Sequence, residues 1–252
     1  MGLEAETINR AYTKEELQII GKRYELIKRY SKDKTLLDVG CGSGLGLNYL
    51  LNQNIKKIYA IDIDKENILE SKKNISKKNA NKIDFECCDF LKFKHKRKYD
   101  VISAMQVLQY IKLDKFLKNA KKRLNSNGTI IVEIPNAFRE DGFKKSDLGK
   151  YYYNPIDLKK EYNNLEIYGV FLIKKETIFT IFKNKARKIF KTFNLSNKTL
   201  NILRTKFLNK EILKDKLSSL FFKKYEISKI KLEPLTEKNY RYYKIIYLIW
   251  KY

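Results

Sequence analysis

Short apolar runs alternate with amphipathic stretches along the first half of the chain. The apolar runs predict buried strands over residues 35–39, 57–63, 83–87, 99–104 and 129–134. Apolar residues at helical spacing between these runs predict the helices that connect the strands. Because strands that are apolar on both faces need helices on both sides of their sheet, this alternation is typical of a parallel, doubly wound α/β fold.

The pattern changes on either side of this α/β segment, and we expect four regions. Residues 1–34 form an N-terminal helical cap, whose helix begins at a Thr-x-x-Glu capping box starting at Thr13. Residues 35–173 form the core. Residues 174–240 form a basic helical insertion that covers the core as a lid, and residues 241–252 form the final core strand.

Lysine dominates the charge of the chain, which has a formal net charge of +25. Only nine of its 54 basic residues are Arg, the residue whose planar fork recognises phosphates and bases in a bidentate manner. The lysines are scattered over nearly every segment. The charge therefore favours attraction of a small anionic substrate, and nucleic acid stays an alternative partner.

The sequence has no feature of an exported or membrane-spanning protein. No apolar stretch approaches the roughly 20 residues that a transmembrane helix needs. The N-terminal sequence contains two acids and no apolar segment of the secretory type. The three cysteines fit no zinc-binding spacing. We therefore expect a reduced, cytoplasmic protein.

A glycine-rich turn follows the first predicted strand, which ends at Asp38-Val39. Gly40, Gly42 and Gly44 in this turn can adopt positive φ and let a ligand approach the backbone N–H groups. The next strand ends about twenty residues later at Asp62, an acid that can accept hydrogen bonds from both hydroxyls of a ribose. The glycines are spaced by two, unlike the G-x-G-x-x-G pattern of nicotinamide and flavin enzymes.

The segment Asp38–Gly44 resembles the first motif of the class I S-adenosylmethionine (SAM)-dependent methyltransferases. Four later segments are similar, in family order, to the second motif, the adenine-side turn, the fourth strand and the turn before strand five: Ile61–Asp64, Cys88–Phe90, Tyr99–Ala104 and Leu124–Thr129. The last of these departs from the family's Pro-Gly-Gly by having Ser-Asn before Gly128. The resemblance covers about residues 36–136. It implies a seven-stranded, mostly parallel Rossmann-like sheet, SAM as cofactor and S-adenosylhomocysteine (SAH) as product.

The resemblance also implies roles for individual residues. Asp62 would bind the ribose, and Ile63 would lie against the adenine. Asp89 would accept the adenine amino hydrogen, with a helix cap as its alternative role. Phe90 would flank the adenine ring. We expect Asp38 to act indirectly, by accepting backbone N–H groups of the turn. The implied cofactor-binding residues are Asp38, Gly40, Cys41, Gly42, Gly44, Asp62, Ile63, Asp89, Phe90 and Met105, the last with a plain core role as its alternative.

The acceptor side is expected to lack a metal. Relatives from ubiquinone biosynthesis have Glu-x-x-Glu-His after strand four, where this chain has the run from Gln106 to Tyr110. Neutral amides are poor ligands for hard divalent cations, so we expect no metal ion. The only histidine, His95, is predicted to be a solvated loop residue at the opposite end of the sheet.

Methyl transfer from a sulfonium needs a base only when the nucleophile carries a proton. We therefore expect an acceptor that is small and anionic, or uncharged with a lone pair. Oxygen is the favoured acceptor atom, and a capsule or surface-glycan precursor with a phosphate-like group is the favoured substrate. Gln109, Tyr110 and Asn136 are the candidate substrate residues. The catalytic residue is unknown, with Tyr110 as the fallback base.

Two other functions stay open. An RNA methyltransferase would suit the charge, although the sequence after strand four, Met105 to Leu108, does not resemble the Asn- or Asp-Pro-Pro-Tyr motif of base-modifying members. The other alternative is a non-catalytic interaction protein with the same fold. In the insertion, an apolar stripe from Ile178 to Phe193 lies among lysines. It predicts a lid helix that packs on the sheet, with peripheral contact to a membrane surface as the alternative.

Overall fold

The structure is a computed structural model and describes residues 10–141, 149–173, 210–213 and 217–252. Within these ranges the helices are α1 (Lys14–Ser31), α2 (Leu47–Leu51), α3 (Lys65–Asn74), α4 (Leu113–Arg123), α5 (Pro155–Glu161) and α6 (Ser219–Lys224). The strands are β1 (Ala11–Tyr12), β2 (Thr35–Val39), β3 (Lys57–Asp62), β4 (Ile83–Cys87), β5 (Tyr99–Met105), β6 (Leu124–Pro135), β7 (Leu165–Leu172), β8 (Glu211–Ile212), β9 (Glu233–Pro234) and β10 (Tyr243–Lys251). Of the described helices, none is both long enough and apolar enough to cross a bilayer.

Most of these strands form one sheet with the order β4-β3-β2-β5-β6-β10-β7-β9. Neighbouring strands from β4 to β6 are parallel, whereas β10 runs antiparallel to both β6 and β7. The chain builds outward from β2 in one direction and from β5 in the other. The direction of the strand order therefore changes between the neighbours β2 and β5. In open α/β sheets, ligands bind at the carboxyl ends of the strands beside such a switch point. The predicted mostly parallel α/β fold is confirmed, and the two-residue strand β9 adds an eighth strand to the seven expected.

Two apolar cores cover opposite faces of the sheet. Leu17 of α1, Leu50 of α2 and Ile68 of α3 belong to the core on one face. Phe116 of α4 and Leu158 of α5 belong to the core on the other. Because helices cover both faces, the parallel strands β2, β3 and β5 are buried on both sides, as their largely apolar sequences require, whereas the edge strand β4 is mostly exposed.

Helix α1 connects the N-terminal region to the core. Its capping box forms as predicted: the N–H of Glu16 donates to Thr13 Oγ1 at 3.1 Å, and the N–H of Thr13 donates to Glu16 Oε2 at 2.6 Å. Ile20 and Ile27 on its apolar face are buried. Arg23 follows Ile20 by three residues and lies on the same face, so its side chain is directed toward the sheet.

Some assignments differ from the prediction. The last strand was expected from residue 241 but begins only at Tyr243, after a 3-10 turn over Tyr240–Tyr242. The insertion over 174–240 was expected to be helical, but Glu211–Ile212 pairs with β1 as a strand, which satisfies backbone groups of both segments. The other insertion residues over 174–209, including the apolar stripe, lie outside the described residues.

Candidate cofactor-binding site

The turn after β2 brings its backbone to the carboxyl edge of the sheet. Gly40, Gly42 and Gly44 have φ values of +70°, +55° and +66°, in the left-handed region that favours glycine. The N–H groups of Gly40 and Cys41 both donate to the carbonyl of Ile61, at 2.8 and 3.0 Å. These bonds fix the turn against the end of β3.

Two side chains of α3 hold the carbonyl groups of this turn. Ser71 Oγ donates to the carbonyl of Gly42 at 2.7 Å, and Asn74 Nδ2 donates to the carbonyl of Ser43 at 2.8 Å. Sequence reasoning missed both residues. A signal was present, because Ser71 and Asn74 are spaced by one helical turn on the buried face of α3.

Gly40→Ala is expected to destabilise the protein for two separable reasons. A Cβ at this position would lie 2.5 Å from Cγ2 of Val107, and a positive φ costs an L-residue about 1–2 kcal/mol. In urea denaturation the variant should therefore lose about 2 kcal/mol or more of unfolding free energy. Adding Val107→Ala removes the clash and leaves the backbone strain, so it should restore only part of the loss. Complete restoration would show that φ does not matter here.

Asp62, at the end of β3, organises the turn from the opposite side. Its Oδ2 accepts the N–H of Gly42 at 2.8 Å, and its Oδ1 accepts the N–H of Asp64 at 2.9 Å and Nδ2 of Asn67 at 3.3 Å. A carboxylate has about four acceptor positions. The side chain therefore keeps acceptor capacity for a ligand, and its long bond with Asn67 is the one that a ligand would replace most easily.

Asp38 has a different partner from the predicted one. It accepts a hydrogen bond from Ser103 Oγ at 2.6 Å, whereas the turn N–H of Gly42 is bound by Asp62. The reason is register, because Asp38 in β2 pairs directly with Ser103 in β5. Burial raises the pKa of Asp38 to about 6, against the opposing effects of the Ser103 hydrogen bond and the Arg23 guanidinium.

The stability of the protein should depend on pH through Asp38. Its pKa of about 6 in the folded state exceeds its ordinary value of 3.8. The folded state therefore holds the proton more tightly, and the contribution of Asp38 to the free energy of unfolding falls as the pH rises through this window. Relative to the wild type, Asp38→Asn should gain about 2 kcal/mol between about pH 4.5 and pH 7.5 in urea denaturation.

Asp100→Asn provides a control of opposite sign for Asp38→Asn. Partial burial opposes the effect, but hydrogen bonds from Thr35 and Asn125 lower the pKa of Asp100. The ionised Asp100 therefore stabilises the folded state at neutral pH, and Asp100→Asn should lose stability relative to the wild type as the pH rises. A pH-independent difference for Asp38→Asn would contradict the raised pKa.

The turn after β4 forms the opposite flank of the site. Asp89 accepts the N–H of Leu91 at 2.9 Å and caps the 3-10 turn Phe90–Lys92. This is the alternative role considered for Asp89, although the residue also lines the cavity. Phe90 is buried, with its ring centroid 5.2 Å from that of Phe116. Asp89 thus combines a capping bond with a position at the cavity wall.

Ile63 and Met105 line the same site, Ile63 at its exposed surface and Met105 in its buried part. Ile63 is 64% exposed, which makes it an apolar surface beside the acid that ends β3. Met105 is buried at the end of β5, and both side chains line the cavity. An exposed apolar side chain at a cavity wall is suited to cover a planar ring.

A buried ion pair that sequence reasoning missed lies beside the glycine turn. Arg23 Nη2 and Nε donate to Glu133 Oε1 and Oε2 at 2.8 and 3.1 Å, and the Glu133 side chain is 0% exposed. Gln106 Nε2 also donates to Oε1 of Glu133 at 2.7 Å. The sequence contained signals, since an Arg on the apolar face of a helix and a Glu inside an apolar strand are rarely buried unless paired.

Gln109 and Tyr110, predicted as substrate residues, line the cavity after β5. Gln109 Nε2 donates to the hydroxyl of Tyr110 at 2.7 Å. The carbonyl of Gln109 accepts the N–H groups of Lys150 and Tyr151 at 2.7 and 3.1 Å. The segment that begins at Gly149 is therefore tied to the backbone beside the cavity.

The third candidate substrate residue, Asn136, is not brought to the cavity. It is 0% exposed. Its Nδ2 donates to the carbonyl groups of Tyr240 and Tyr243 at 2.7 and 2.8 Å, and its Oδ1 accepts the N–H of Phe138 at 3.1 Å. The structure therefore gives Asn136 a different role, which is to tie the end of β6 to the start of β10.

His95 lies outside the cavity lining, in the loop before β5. The prediction that it is solvated is wrong. Its ring is half-buried, stacked 5.8 Å from Phe93 and tilted 5.8 Å from Tyr59. The apolar rings explain this position, because a loop with aromatic residues can bury them against the sheet.

The site residues enclose a cavity of about 520 Å³ at the carboxyl ends of β2, β3 and β5. Its volume is in the range of small-molecule sites. Every predicted cofactor-binding residue lines it except Gly44, which faces α3, where an added Cβ would lie 2.6 Å from Ser71 Oγ. Among the described residues, the charged groups of the lining are one guanidinium and three carboxylates, those of Arg23, Asp38, Asp62 and Asp89. This excess of acids suits a ligand that carries positive charge.

Comparison with known proteins identifies the family. A family model described as a methyltransferase domain matches residues 30–194, more than half of the chain. The ubiquinone biosynthesis O-methyltransferase of Pelagibacter ubique is 36% identical over 106 residues, which are 42% of this chain and 43% of that protein. The chain therefore spans less than half the length of this relative. The protein belongs to the methyltransferase-domain family.

Solved structures show the same fold at low sequence identity. A SAM-dependent methyltransferase from Archaeoglobus fulgidus has a TM-score of 0.55 and 15% identity, with 94% of each chain covered. The [4+2]-cyclase SpnF has a TM-score of 0.58 and 15% identity, with 97% of this chain and 88% of that chain covered. The family match confirms the predicted methyltransferase family, and the two solved structures confirm the predicted fold.

Proposed function

We propose that the protein transfers a methyl group from SAM to an oxygen atom of a small, anionic acceptor. One observation carries the proposal: the glycine turn after β2, the acid at the end of β3 and the acid after β4 line a single cavity at the switch point of the sheet. In an open α/β sheet this is the place where a nucleoside-containing ligand finds backbone N–H groups and carboxylates together.

The lining fits the chemical groups of SAM. Asp62 would bind the ribose hydroxyls, Asp89 the adenine amino group, and the backbone of Gly40 and Gly42 would approach the methionine part. The Arg23 guanidinium would face the carboxylate of that methionine part, since it lines the cavity beside the same turn. When bound, SAM supplies an electrophilic methyl group on a positively charged sulfur. The carboxylates of the lining attract this charge and would favour SAM over the product SAH.

The acceptor end is formed by the turn after β5. Gln106, Gln109 and Tyr110 present neutral polar groups there, and the O-methyltransferase named above supports oxygen as the acceptor atom. The net charge of +25 favours an anionic acceptor. A capsule or surface-glycan precursor and the absence of a metal ion stay predictions. The RNA-methyltransferase and non-catalytic functions also stay predictions, and the test below gives a different result for each of them.

The test has two stages. Calorimetry should first show saturable binding of SAM and SAH, and a mass-spectrometric screen with SAM should then find small anionic metabolites that gain one methyl group as SAH accumulates. Methylation of added RNA with no change in small molecules would favour the RNA alternative. Binding of SAM without any SAH formation would favour the non-catalytic alternative.

Tyr110→Phe should leave turnover nearly unchanged once an acceptor is found. An anionic acceptor brings no proton to remove, so the hydroxyl of Tyr110 is not needed as a base. The substitution removes only the hydrogen bond from Gln109. A decrease in kcat of about 100-fold or more, typical for loss of a general base, would contradict the anionic acceptor.

A further inference from the structure

The carboxylate of Glu133 is a fully buried charge that accepts three side-chain hydrogen bonds next to the cavity. It lies in β6 between Val132 and Ile134, both buried, and its side chain is 0% exposed. It accepts hydrogen bonds from Nε and Nη2 of Arg23 and from Nε2 of Gln106. Glu133 does not line the cavity, but both of its partners do. Any effect of Glu133 on a ligand must therefore pass through them.

Stability alone does not account for this carboxylate. Burial of an ion pair costs desolvation energy, and well-packed apolar residues in its place often stabilise a protein equally or more. The surrounding strand is apolar, so a leucine or isoleucine would suit this position of β6. The bidentate pairing is instead suited to orienting Arg23, because it fixes both the position and the plane of a guanidinium.

Glu133 also braces the turn that follows β5. Gln106 has φ of +59°, an uncommon conformation for a residue other than glycine. Its N–H donates to the backbone carbonyl of Glu133 at 2.9 Å, and its side chain donates to the Glu133 carboxylate. The next residue, Val107, packs directly on Gly40. Glu133 is therefore bonded both to Arg23 of α1 and to Gln106, the first residue of the turn that packs on Gly40.

We propose that Glu133 is a positioning residue, which orients the Arg23 guanidinium toward the methionine end of the cofactor cavity. This role rests on the proposed function. It predicts a selective effect, because under that function Arg23 would face the amino-acid part of the cofactor. Ligands with that part should depend on Glu133, and ligands with only the adenosine part should not.

The experiment compares two ligands by calorimetry on the full chain. SAH contains the carboxylate, whereas 5′-methylthioadenosine has the adenosine and sulfur without the amino-acid part. Glu133→Gln keeps the shape of the side chain and places an NH₂ group against the guanidinium. It should weaken SAH binding by about tenfold or more and change 5′-methylthioadenosine binding by less than about twofold. Glu166→Gln is the matched control, because Glu166 lies in β7 and pairs with Lys251 away from the cavity; it should change neither affinity.

A structural role alone would change both affinities equally or change neither, and either result would overturn the positioning role. If Glu133→Gln does not fold, Arg23→Lys replaces it, since a lysine keeps the charge and loses the planar fork. The same selective loss of SAH binding is expected for that variant, and equal losses would overturn the role. If the wild type binds neither ligand, the proposed function itself fails.

Discussion

Asp62→Ala should weaken the binding of both SAM and SAH by about 100-fold. The carboxylate is expected to accept hydrogen bonds from the ribose hydroxyls, and each hydrogen bond to a charged group contributes about 1.5–3 kcal/mol. The substitution also releases the N–H of Gly42, which Asp62 Oδ2 holds at 2.8 Å. Loss of about 3 kcal/mol corresponds to the expected factor. Isothermal titration calorimetry of the two ligands measures it.

Asp64→Ala is the matched control for this prediction. Asp64 lies two residues further on, and its side chain caps α3 by accepting the N–H groups of Glu66 and Asn67. Its bond to Asp62 comes from its backbone N–H, which the substitution keeps. The control should lose about 1 kcal/mol of stability and retain its affinity for SAM. If the affinities of the two variants fell equally, Asp62 would not be the ribose-binding acid.

The second large effect concerns the buried ion pair. Glu133→Leu should destabilise the protein by about 3–5 kcal/mol, because it leaves the Arg23 guanidinium without its carboxylate. For a chain of 252 residues this is a decrease in Tm of roughly 10 °C. The double variant Arg23→Met and Glu133→Leu removes both charges and should recover most of the lost stability. It should not recover SAH affinity, because the cation beside the glycine turn is gone.

Thermal unfolding and calorimetry together separate the two effects. Glu166→Leu, which breaks the partly exposed pair with Lys251, should cost less than about 1 kcal/mol. A double variant that is as unstable as Glu133→Leu would mean that the pair contributes net stability. A double variant with full SAH affinity would mean that the cavity does not need the Arg23 charge.

The parts of the fold set by local sequence were predictable. The strand over Thr35–Val39 is observed with its predicted bounds, because a short, largely apolar run between turn residues is typical of a buried strand. The caps at Asp64 and Asn154 are equally local, with each side chain accepting backbone N–H at the start of its helix. Most of the predicted cofactor-binding residues lie at or just after the ends of strands, and they therefore meet at one edge of the sheet.

The details that depend on register and on distant contacts were not predictable. Asp62, and not Asp38, accepts the N–H of Gly42, because the pairing of β2 with β5 places Ser103 beside Asp38. The contact between Arg23 and Glu133 joins residues 110 positions apart. Asn136 directly follows a strand, which is why it was predicted as a site residue. Its side chain instead bonds to the start of β10, and the position of β10 between β6 and β7 was not inferred from the sequence.

The limits of the family match do not coincide with those of the folding unit. The matched residues 30–194 leave out most of α1 and all of β10. Yet β10 is the only neighbour that β6 and β7 share in the described sheet, and α1 supplies Arg23, Tyr24 and Ile27 to the cavity. A fragment cut at the match boundaries would have a split sheet and a cavity open on one side. Expression of this domain for binding studies should therefore begin before Thr13 and continue through Lys251.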